Sequence, residues 1–362
     1  MAYIRSLTPY LPMLTDKFIF SIHRILGLVA GLFIIMLTLT GSVLVLDSQV
    51  DAWLNPEVTK IVPGSSRQST DALVKTVRQQ YPAATLLNLR LYAGEADRAV
   101  RAEVKDKGER IWVYLNPYTG AVLGTREREG SFVRRARELH ENLLWEPYGG
   151  YIMGLVGLCL LGSVLTGTWY YRKSLLSVFS IGIRWKKSRR IVYADIHKYL
   201  GVVALLFMTL MSCTGIFFHW EQIERAFGDQ PDRPKTEAIT PTVNAVDTYL
   251  AQSQQAVPGL VADLISFPES ADQPLVVRGN TPESNRILGR FTASVEFDAA
   301  TGKQQKVFRA EDADAEYKME HIFEELHFGR FGGFVTQFLW IFFALSTAIV
   351  TLTGLLIWWV KR

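Results

Sequence analysis

The chain has 362 residues and a formal net charge of +4, and 49% of its residues are hydrophobic. Four stretches of 22 to 30 residues contain no Asp, Glu, Lys or Arg: Ile25–Leu46, Tyr148–Tyr171, Tyr199–Trp220 and Phe331–Val360. A membrane-spanning helix needs about 20 apolar residues. This composition excludes a soluble globular enzyme, a disordered chain and a transmembrane β-barrel, and the small net charge gives no indication of a nucleic-acid partner.

The apolar stretches predict transmembrane helices over residues 18–46, 148–171, 194–220 and 331–360. The first is expected to be retained, because it is too long for a signal peptide and no small-residue cleavage site follows it. The loop of residues 172–193 carries seven basic and no acidic residues, which is typical of a cytoplasmic loop. Both termini are therefore predicted to be cytoplasmic in a bacterial inner membrane. Residues 47–147 and 221–330 are predicted to be periplasmic, and Leu175–Trp185 to lie in the membrane interface.

Each long connection has a mixed α/β pattern. In the first, Thr70-Asp71 precedes a helical pattern that stops at Pro82, and strand-like runs follow at Leu86–Tyr92, Ala99–Val104 and Ile111–Leu115. The second has a helix near Val243–Gln255 and strand-like runs at Asp263–Phe267, Leu275–Arg278 and Thr292–Phe297. A turn of the form Asn/Asp-x-x-Thr-Gly closes each series, at Asn116–Gly120 and Asp298–Gly302.

Several motifs recur in the same order with equal spacing. The equivalent pairs are His23 with His197, Thr40-Gly41 with Thr214-Gly215, His140 with His327, and Thr166-Gly167 with Thr353-Gly354. Equal spacing over several motifs indicates an internal duplication. The sequence therefore predicts an α-helical integral membrane protein whose four transmembrane helices arise by tandem duplication, with two extracytoplasmic α+β domains.

Four of the six histidines occupy these equivalent positions. If the halves pack with pseudo-twofold symmetry, His23 faces His197 near the cytoplasmic side and His140 faces His327 near the periplasmic side. Two imidazoles that face each other across a helix bundle can ligate one haem b axially. The sequence thus predicts two haems, about 25–30 Å apart along the helices, with Phe207 and Trp340 among the intervening aromatic residues.

Other interpretations of the same residues stay open at this point. A histidine at a helix end is often an interfacial polar residue, and the Thr-Gly pairs are more typical of close helix packing. His219 has Val45 as its counterpart in the first half, so it is an interfacial residue or a further candidate ligand. His321 has no counterpart and is interpreted as a solvated domain residue.

The chain resembles the PepSY-associated transmembrane family. The resemblance rests on the His-Arg/Lys-x-Leu-Gly helix start, the Thr-Gly span end and the Glu-Leu-His before a span, and it covers nearly the whole chain. The repeated Asn/Asp-x-x-Thr-Gly turn resembles that of a PepSY domain. Ferric-siderophore reductases of the FoxB type are similar in layout. The resemblance implies bound haem b, His23, His197, His140 and His327 as its ligands, and electron delivery to Fe(III)-siderophore in the periplasm.

The expected activity is membrane haem-dependent ferric-siderophore reduction. No Gly-x-Gly-x-x-Gly motif follows a strand, so quinol or an electron-donor protein is the expected donor, and membrane lipid is a further expected partner. The chelate is expected to dock near His140 and His327, on loops that carry Trp145, Tyr148, Tyr151, Phe328, Arg330 and Phe331. Two alternatives remain: a non-enzymatic PepSY module that binds or regulates a protease, and a component of an iron or siderophore transporter.

Overall fold

The structure of the protein is a computed structural model that describes residues 10–227, 245–270 and 272–360. The chain divides into two compact units. The first, here called the helical unit, comprises Met1–Leu46, Ala136–Gln230 and Leu326–Arg362. The second, the sheet unit, comprises Asp47–Arg135 and Pro231–Glu325. The apolar stretches of the sequence thus belong to one unit, and most of the two polar connections belongs to the other.

The helices and strands follow one another as the patterns predict, with several additional short helices. The helices are α1 (Tyr10–Val45), α2 (Asp47–Leu54), α3 (Pro56–Thr59), α4 (Thr70–Gln80), α5 (Phe132–Asn142), α6 (Tyr148–Tyr171), α7 (Ser177–Ile181), α8 (Arg189–Val203), α9 (Leu205–Phe227), α10 (Val246–Ala256), α11 (Ala315–Phe328) and α12 (Gly333–Trp359). The strands are β1 (Thr85–Arg90), β2 (Val100–Asp106), β3 (Glu109–Leu115), β4 (Val122–Glu127), β5 (Val261–Ser266), β6 (Leu275–Asn280), β7 (Ala293–Phe297) and β8 (Gln304–Arg309). The first residues of the helix predicted near Val243–Gln255 lie outside the described part of the chain.

The helical unit contains three helices that are long and apolar enough to cross a membrane, α1, α6 and α12, within the described residues. Helices α8 and α9 together pass the same test as a bent pair. Helix α1 packs against α6 and α12, α6 packs against α9, and α12 packs against α8. This arrangement brings the two halves of the duplication into one bundle.

The third predicted span is not the continuous helix that residues 194–220 suggested. It breaks at Ala204, where α8 and α9 meet at an angle of 66°. Two hydrogen bonds flank the bend, from Ala204 N to Leu200 O and from Met208 N to Ala204 O, both at 2.8 Å. Ala204 is fully buried in a cluster with Val164 of α6 and Met208. No proline stands at the bend, so the apolar pattern gave no sign of it.

The sheet unit holds a single antiparallel sheet in the order β4-β3-β2-β1-β5-β6-β7-β8. Four strands come from each predicted domain, and β1 pairs with β5 through Asn88 with Ser266, Leu89 with Ile265 and Arg90 with Leu264. The expectation of two separate α+β domains is therefore corrected to two halves of one sheet. Pairing β1 with β5 satisfies the backbone groups of what would otherwise be two exposed strand edges.

The main core of the sheet unit lies on one face of this sheet, and a smaller cluster of Val58, Ala99, Trp112 and Tyr114 is buried on the other face. Apolar residues of α4 and α10, including Val77 and Tyr249, pack on alternate strand residues such as Leu89, Ile265 and Val295. Strands β4 and β8 were absent from the predicted runs. Both are edge strands: β4 exposes Glu127, and β8 exposes Lys306 and Arg309, and charged side chains protect a strand edge from further pairing.

The repeated turns form as the sequence predicts. Asn116 Oδ1 accepts hydrogen bonds from Tyr118 N at 2.9 Å and Thr119 N at 3.3 Å. Asp298 Oδ1 does the same for Ala300 N and Thr301 N. Gly120 and Gly302 have φ values of +74° and +68°, a conformation that glycine adopts without strain. Each turn links the third and fourth strands of its half.

Candidate functional site

His23 and His197 face each other in the helical unit. His23 lies on α1 and His197 on α8, and their ring centres are 6.1 Å apart with the planes at 78°. The Nδ1 atom of His23 lies 2.9 Å from Ser163 O, and that of His197 lies 2.8 Å from Val350 O. A carbonyl oxygen only accepts hydrogen bonds, so Nδ1 carries the proton in both rings and Nε2 carries a free lone pair.

His140 and His327 form a second pair of the same kind. They lie at the ends of α5 and α11, and their ring centres are 6.3 Å apart with the planes at 74°. His140 Nδ1 lies 2.8 Å from Thr40 Oγ1, and His327 Nδ1 lies 2.7 Å from Thr214 Oγ1. Each threonine hydroxyl is within donating distance of a carbonyl of its own helix. Each therefore accepts from the imidazole, which again leaves Nε2 free.

The charge state of the second pair suits metal binding. Burial lowers the pKa of His140 to about 3 and the pKa of His327 to about 4. Both rings are consequently neutral at pH 7, and the neutral imidazole is the form that binds a metal. Within the described residues, no hydrogen bond occupies Nε2 in either pair.

The Thr-Gly motifs position these imidazoles. A Cβ atom on Gly167 would lie 3.0 Å from His23 Cε1, one on Gly354 would lie 3.2 Å from His197 Cε1, and one on Gly41 would lie 3.1 Å from His140 Cε1. The fourth motif differs, because no atom of the described residues lies within 4 Å of the Cβ position of Gly215. The interpretation of these motifs as helix packing alone is therefore incomplete: the threonine or a nearby carbonyl orients a ring, and three of the glycines leave room for it.

The spacing within each pair fits two axial ligands on one metal. A metal–imidazole bond is about 2 Å long, and the ring centre lies about 1 Å beyond the nitrogen, so the centres of two axial imidazoles stand about 6 Å apart. Among the described residues, no group of three or more His, Cys, Asp and Glu side chains is arranged to hold a bare metal ion. A two-ligand centre such as a haem thus fits these residues better than an isolated cation.

A cavity of about 460 Å³ opens around the first pair. Its wall contains His23, His197 and the glycines Gly167 and Gly354, together with apolar side chains such as Leu160. An apolar wall and a small number of convergent polar groups are typical of a cofactor pocket.

The two pairs lie far apart along the bundle. His23 and Thr40, the contact of His140, are 17 residues apart on α1, which corresponds to about 25 Å at about 1.5 Å per residue. Between them, Phe207 of α9 packs edge-on against Trp340 with ring centres 5.9 Å apart and stacks on Phe343 at 5.7 Å.

The whole chain matches one known family. The model of the PepSY-associated TM region matches residues 20–361. The chain belongs to this family. No curated protein matches it significantly. The family assignment and the helices together make the chain a membrane protein with a folded α+β part.

The remaining histidines of the sequence analysis differ from these two pairs. His219 lies near enough to His140 and His327 for its charge to influence both rings. His321 belongs to the sheet unit, where its ring stacks on Tyr317 at 3.8 Å.

The six residues expected at the docking loops separate into smaller groups. Arg330 lies over the ring of Phe328 at 4.4 Å, and Phe328 contacts His327 at 5.9 Å. Trp145 packs on Tyr148 at 5.3 Å, and both are exposed. Phe331 packs on Trp340, whereas Tyr151 is half-buried on α6.

Proposed function

We propose that this protein is a haem b-containing electron-transfer protein of the bacterial inner membrane that reduces Fe(III)-siderophore and releases Fe(II). The observation that supports this proposal most strongly is the pair of facing histidine sites, each with ring centres about 6 Å apart and each with free Nε2 atoms. The resemblance to FoxB-type ferric-siderophore reductases points in the same direction.

The protein residues have defined roles in this proposal. His23 and His197 would hold one haem, and His140 and His327 would hold a second. Haem b held by two imidazoles would supply a one-electron redox centre suited to electron transfer. Ser163 O, Val350 O and the hydroxyls of Thr40 and Thr214 fix the ring orientations through Nδ1, which also raises the basicity of the ligating nitrogen.

The overall reaction balances with a lipid-soluble donor. One quinol releases two electrons and two protons and becomes a quinone. Each electron converts one ferric chelate to Fe(II), which the hard oxygen donors of a siderophore hold far less tightly. The aromatic contacts of Phe207 with Trp340 and Phe343 support a packed route across the bundle between the two histidine pairs.

The orientation follows from the charge of the loops. The basic loop of residues 172–193 favours a cytoplasmic position, and the sheet unit would then be periplasmic. The chelate would be reduced at the His140–His327 end, where Arg330 and Phe328 form a cationic and aromatic patch that can attract an anionic chelate.

Spectroscopy of the purified protein tests this function. We expect Soret and α bands that shift on reduction with dithionite. When the reduced protein is mixed with a ferric hydroxamate siderophore under anaerobic conditions, the spectrum of reduced haem should disappear while ferrozine traps the Fe(II) that forms. His327→Ala should slow this reaction severely. His321→Ala is the matched control, because it removes a histidine from the same helix that belongs to neither pair.

Two outcomes would contradict the proposal. Purified protein without haem would favour the alternative of a PepSY module that binds or regulates a protease. Haem-loaded protein that ferric siderophore fails to reoxidise would exclude the reductase activity. The bend at Ala204 gives the chain a broken span, a feature that many transporters share, so siderophore uptake into proteoliposomes is the measurement for a transporter.

A further inference from the structure

The cavity around His23 and His197 has a cationic rim. Arg24, Arg190 and Lys198 line it, and none of its lining residues is acidic. Arg24 and Lys198 are equivalent in the duplication, since each directly follows its histidine. The side chains of Arg24 and Arg190 are exposed, whereas Lys198 is half-buried.

The protein neutralises these cations only in part. Within the described residues, no ion pair forms on Arg24 or Arg190. Lys198 Nζ lies 3.3 Å from Asp195 Oδ1, but the carboxylate of Asp195 is already engaged by both Nε and Nη2 of Arg184 at 2.8 Å. The rim of an otherwise apolar cavity thus keeps a net positive charge.

We propose that Arg24, Arg190 and Lys198 bind the two propionate carboxylates of the haem held by His23 and His197. This inference rests on the proposed function. Haem is apolar except at its propionate edge, so it fits a cavity whose wall is apolar and whose rim is cationic. Arginine and lysine are the groups that pair best with carboxylates at such a rim.

The rim would also tune the redox centre. A nearby positive charge favours the state of the haem that has gained an electron. Neutralising Arg24 or Lys198 should therefore lower the midpoint potential of this haem and leave that of the other haem unchanged. Asp195 acts in the same arrangement by holding Lys198 at the rim.

Two measurements on full-length protein test the proposal. The first is a spectroelectrochemical titration of wild type, Arg24→Gln and Lys198→Gln in detergent. The second compares the binding of haemin and of haemin dimethyl ester, in which both carboxylates are blocked, to haem-depleted His140→Ala protein that retains only the first site. Protein with the wild-type rim should bind haemin with an affinity about tenfold or more higher than that for the ester, as expected for charge-assisted hydrogen bonds. The Gln substitutions should remove most of this preference.

Matched variants separate a specific role from general effects of charge. Lys173→Gln removes an exposed basic residue that lies, like Arg190, in residues 172–193 but does not line the cavity. It should change neither the midpoint potential of the haem nor the preference for haemin. Arg24→Lys and Lys198→Arg keep the charge and should restore most of both properties. The ester also distinguishes propionate from lipid phosphate, because a rim that binds anionic phospholipid would not discriminate haemin from its ester.

The outcomes are distinguishable from a failure of the proposed function. Wild-type protein that carries no haem overturns both proposals. Protein that carries two haems and reduces ferric siderophore, but shows equal binding of haemin and its ester, overturns only the role of the rim. If Lys173→Gln lowered the midpoint potential as much as Arg24→Gln, the role of the rim would be overturned as well, because the change in potential would then reflect the overall charge of the protein.

Discussion

Substituting Gly167 with alanine should damage the site of His23 while leaving the fold intact. The added Cβ atom would lie 3.0 Å from His23 Cε1 and 3.2 Å from His23 Nδ1, whereas carbon atoms in ordinary contact are about 3.5–4.0 Å apart. The imidazole must therefore move away by a few tenths of an ångström. Its hydrogen bond to Ser163 O, now 2.9 Å long, and the metal bond proposed for it cannot both survive such a shift, because ligand distances tolerate only about 0.2 Å.

The expected size of this effect follows from the positioning role of the glycine. Loss of a group that orients a metal ligand typically lowers metal affinity by about 10–100-fold. Alanine also favours a helix over glycine by about 1 kcal/mol, so α6 itself should become more stable. We thus expect haem content at the first site to fall while the melting temperature of the haem-free protein stays equal or rises.

Haem transfer to apomyoglobin, followed by the Soret band, measures the affinity, and circular dichroism measures the unfolding temperature. Gly215→Ala is the matched control, since it changes the glycine of the fourth Thr-Gly motif, where no atom of the described part of the chain lies within 4 Å of the Cβ position. Full haem affinity in Gly167→Ala, or equal damage in both variants, would refute the role given to these glycines.

Three further predictions concern pairing, orientation and the sheet unit. His23→Ala and His197→Ala should affect the same haem, which is either lost or converted to high spin. Optical spectra in which the two variants lose different haems would disprove the pairing. Cysteine-reactive labels placed near Asp106 should react from the periplasm and labels in the loop of residues 172–193 should not; the reverse pattern would overturn the direction of electron flow. In the sheet unit, Asp71 accepts hydrogen bonds from Val246 N and Asp247 N, and burial raises the pKa of Asp71. The Asp71 carboxyl therefore binds a proton more readily in the folded state than in the unfolded state. As the pH rises above about 4, the ordinary pKa of an aspartate, ionisation of this carboxyl lowers the stability of the fold. Asp71→Asn should match or exceed wild type in thermal stability at pH 7, and the difference between them should shrink toward pH 4. Asp71→Ala should lower the free energy of unfolding by about 1 kcal/mol, because the first turn of α10 then loses its cap. Equal losses of stability in the two variants would show that the charge of Asp71 is irrelevant.

Much of the sheet unit was predictable from local pattern, but its edges and its unity were not. The runs that became β2 and β7 alternate apolar and polar residues, and those that became β1, β3, β5 and β6 are short runs rich in apolar residues. Both patterns are local signals. Strands β4 and β8 carry exposed charged residues, so they acquire their strand character only from the neighbour that they pair with. The pairing of Leu89 with Ile265 joins residues that are distant in the chain, and no local pattern specifies such a contact.

The sequence by itself determined the apolar helices, the duplication and the four equivalent histidines, because these depend on composition and spacing along one chain. The facing of His23 with His197 and of His140 with His327 was inferred from the symmetry of the duplication, and the helical unit brings both pairs together. Only the tertiary structure decided the role of the Thr-Gly motifs, since a threonine that orients an imidazole and a glycine that makes room for it act across two different helices. The bend at Ala204 was likewise decided by tertiary packing, because Ala204 is buried in a cluster with Val164 and Met208 and no proline marks the position in the sequence.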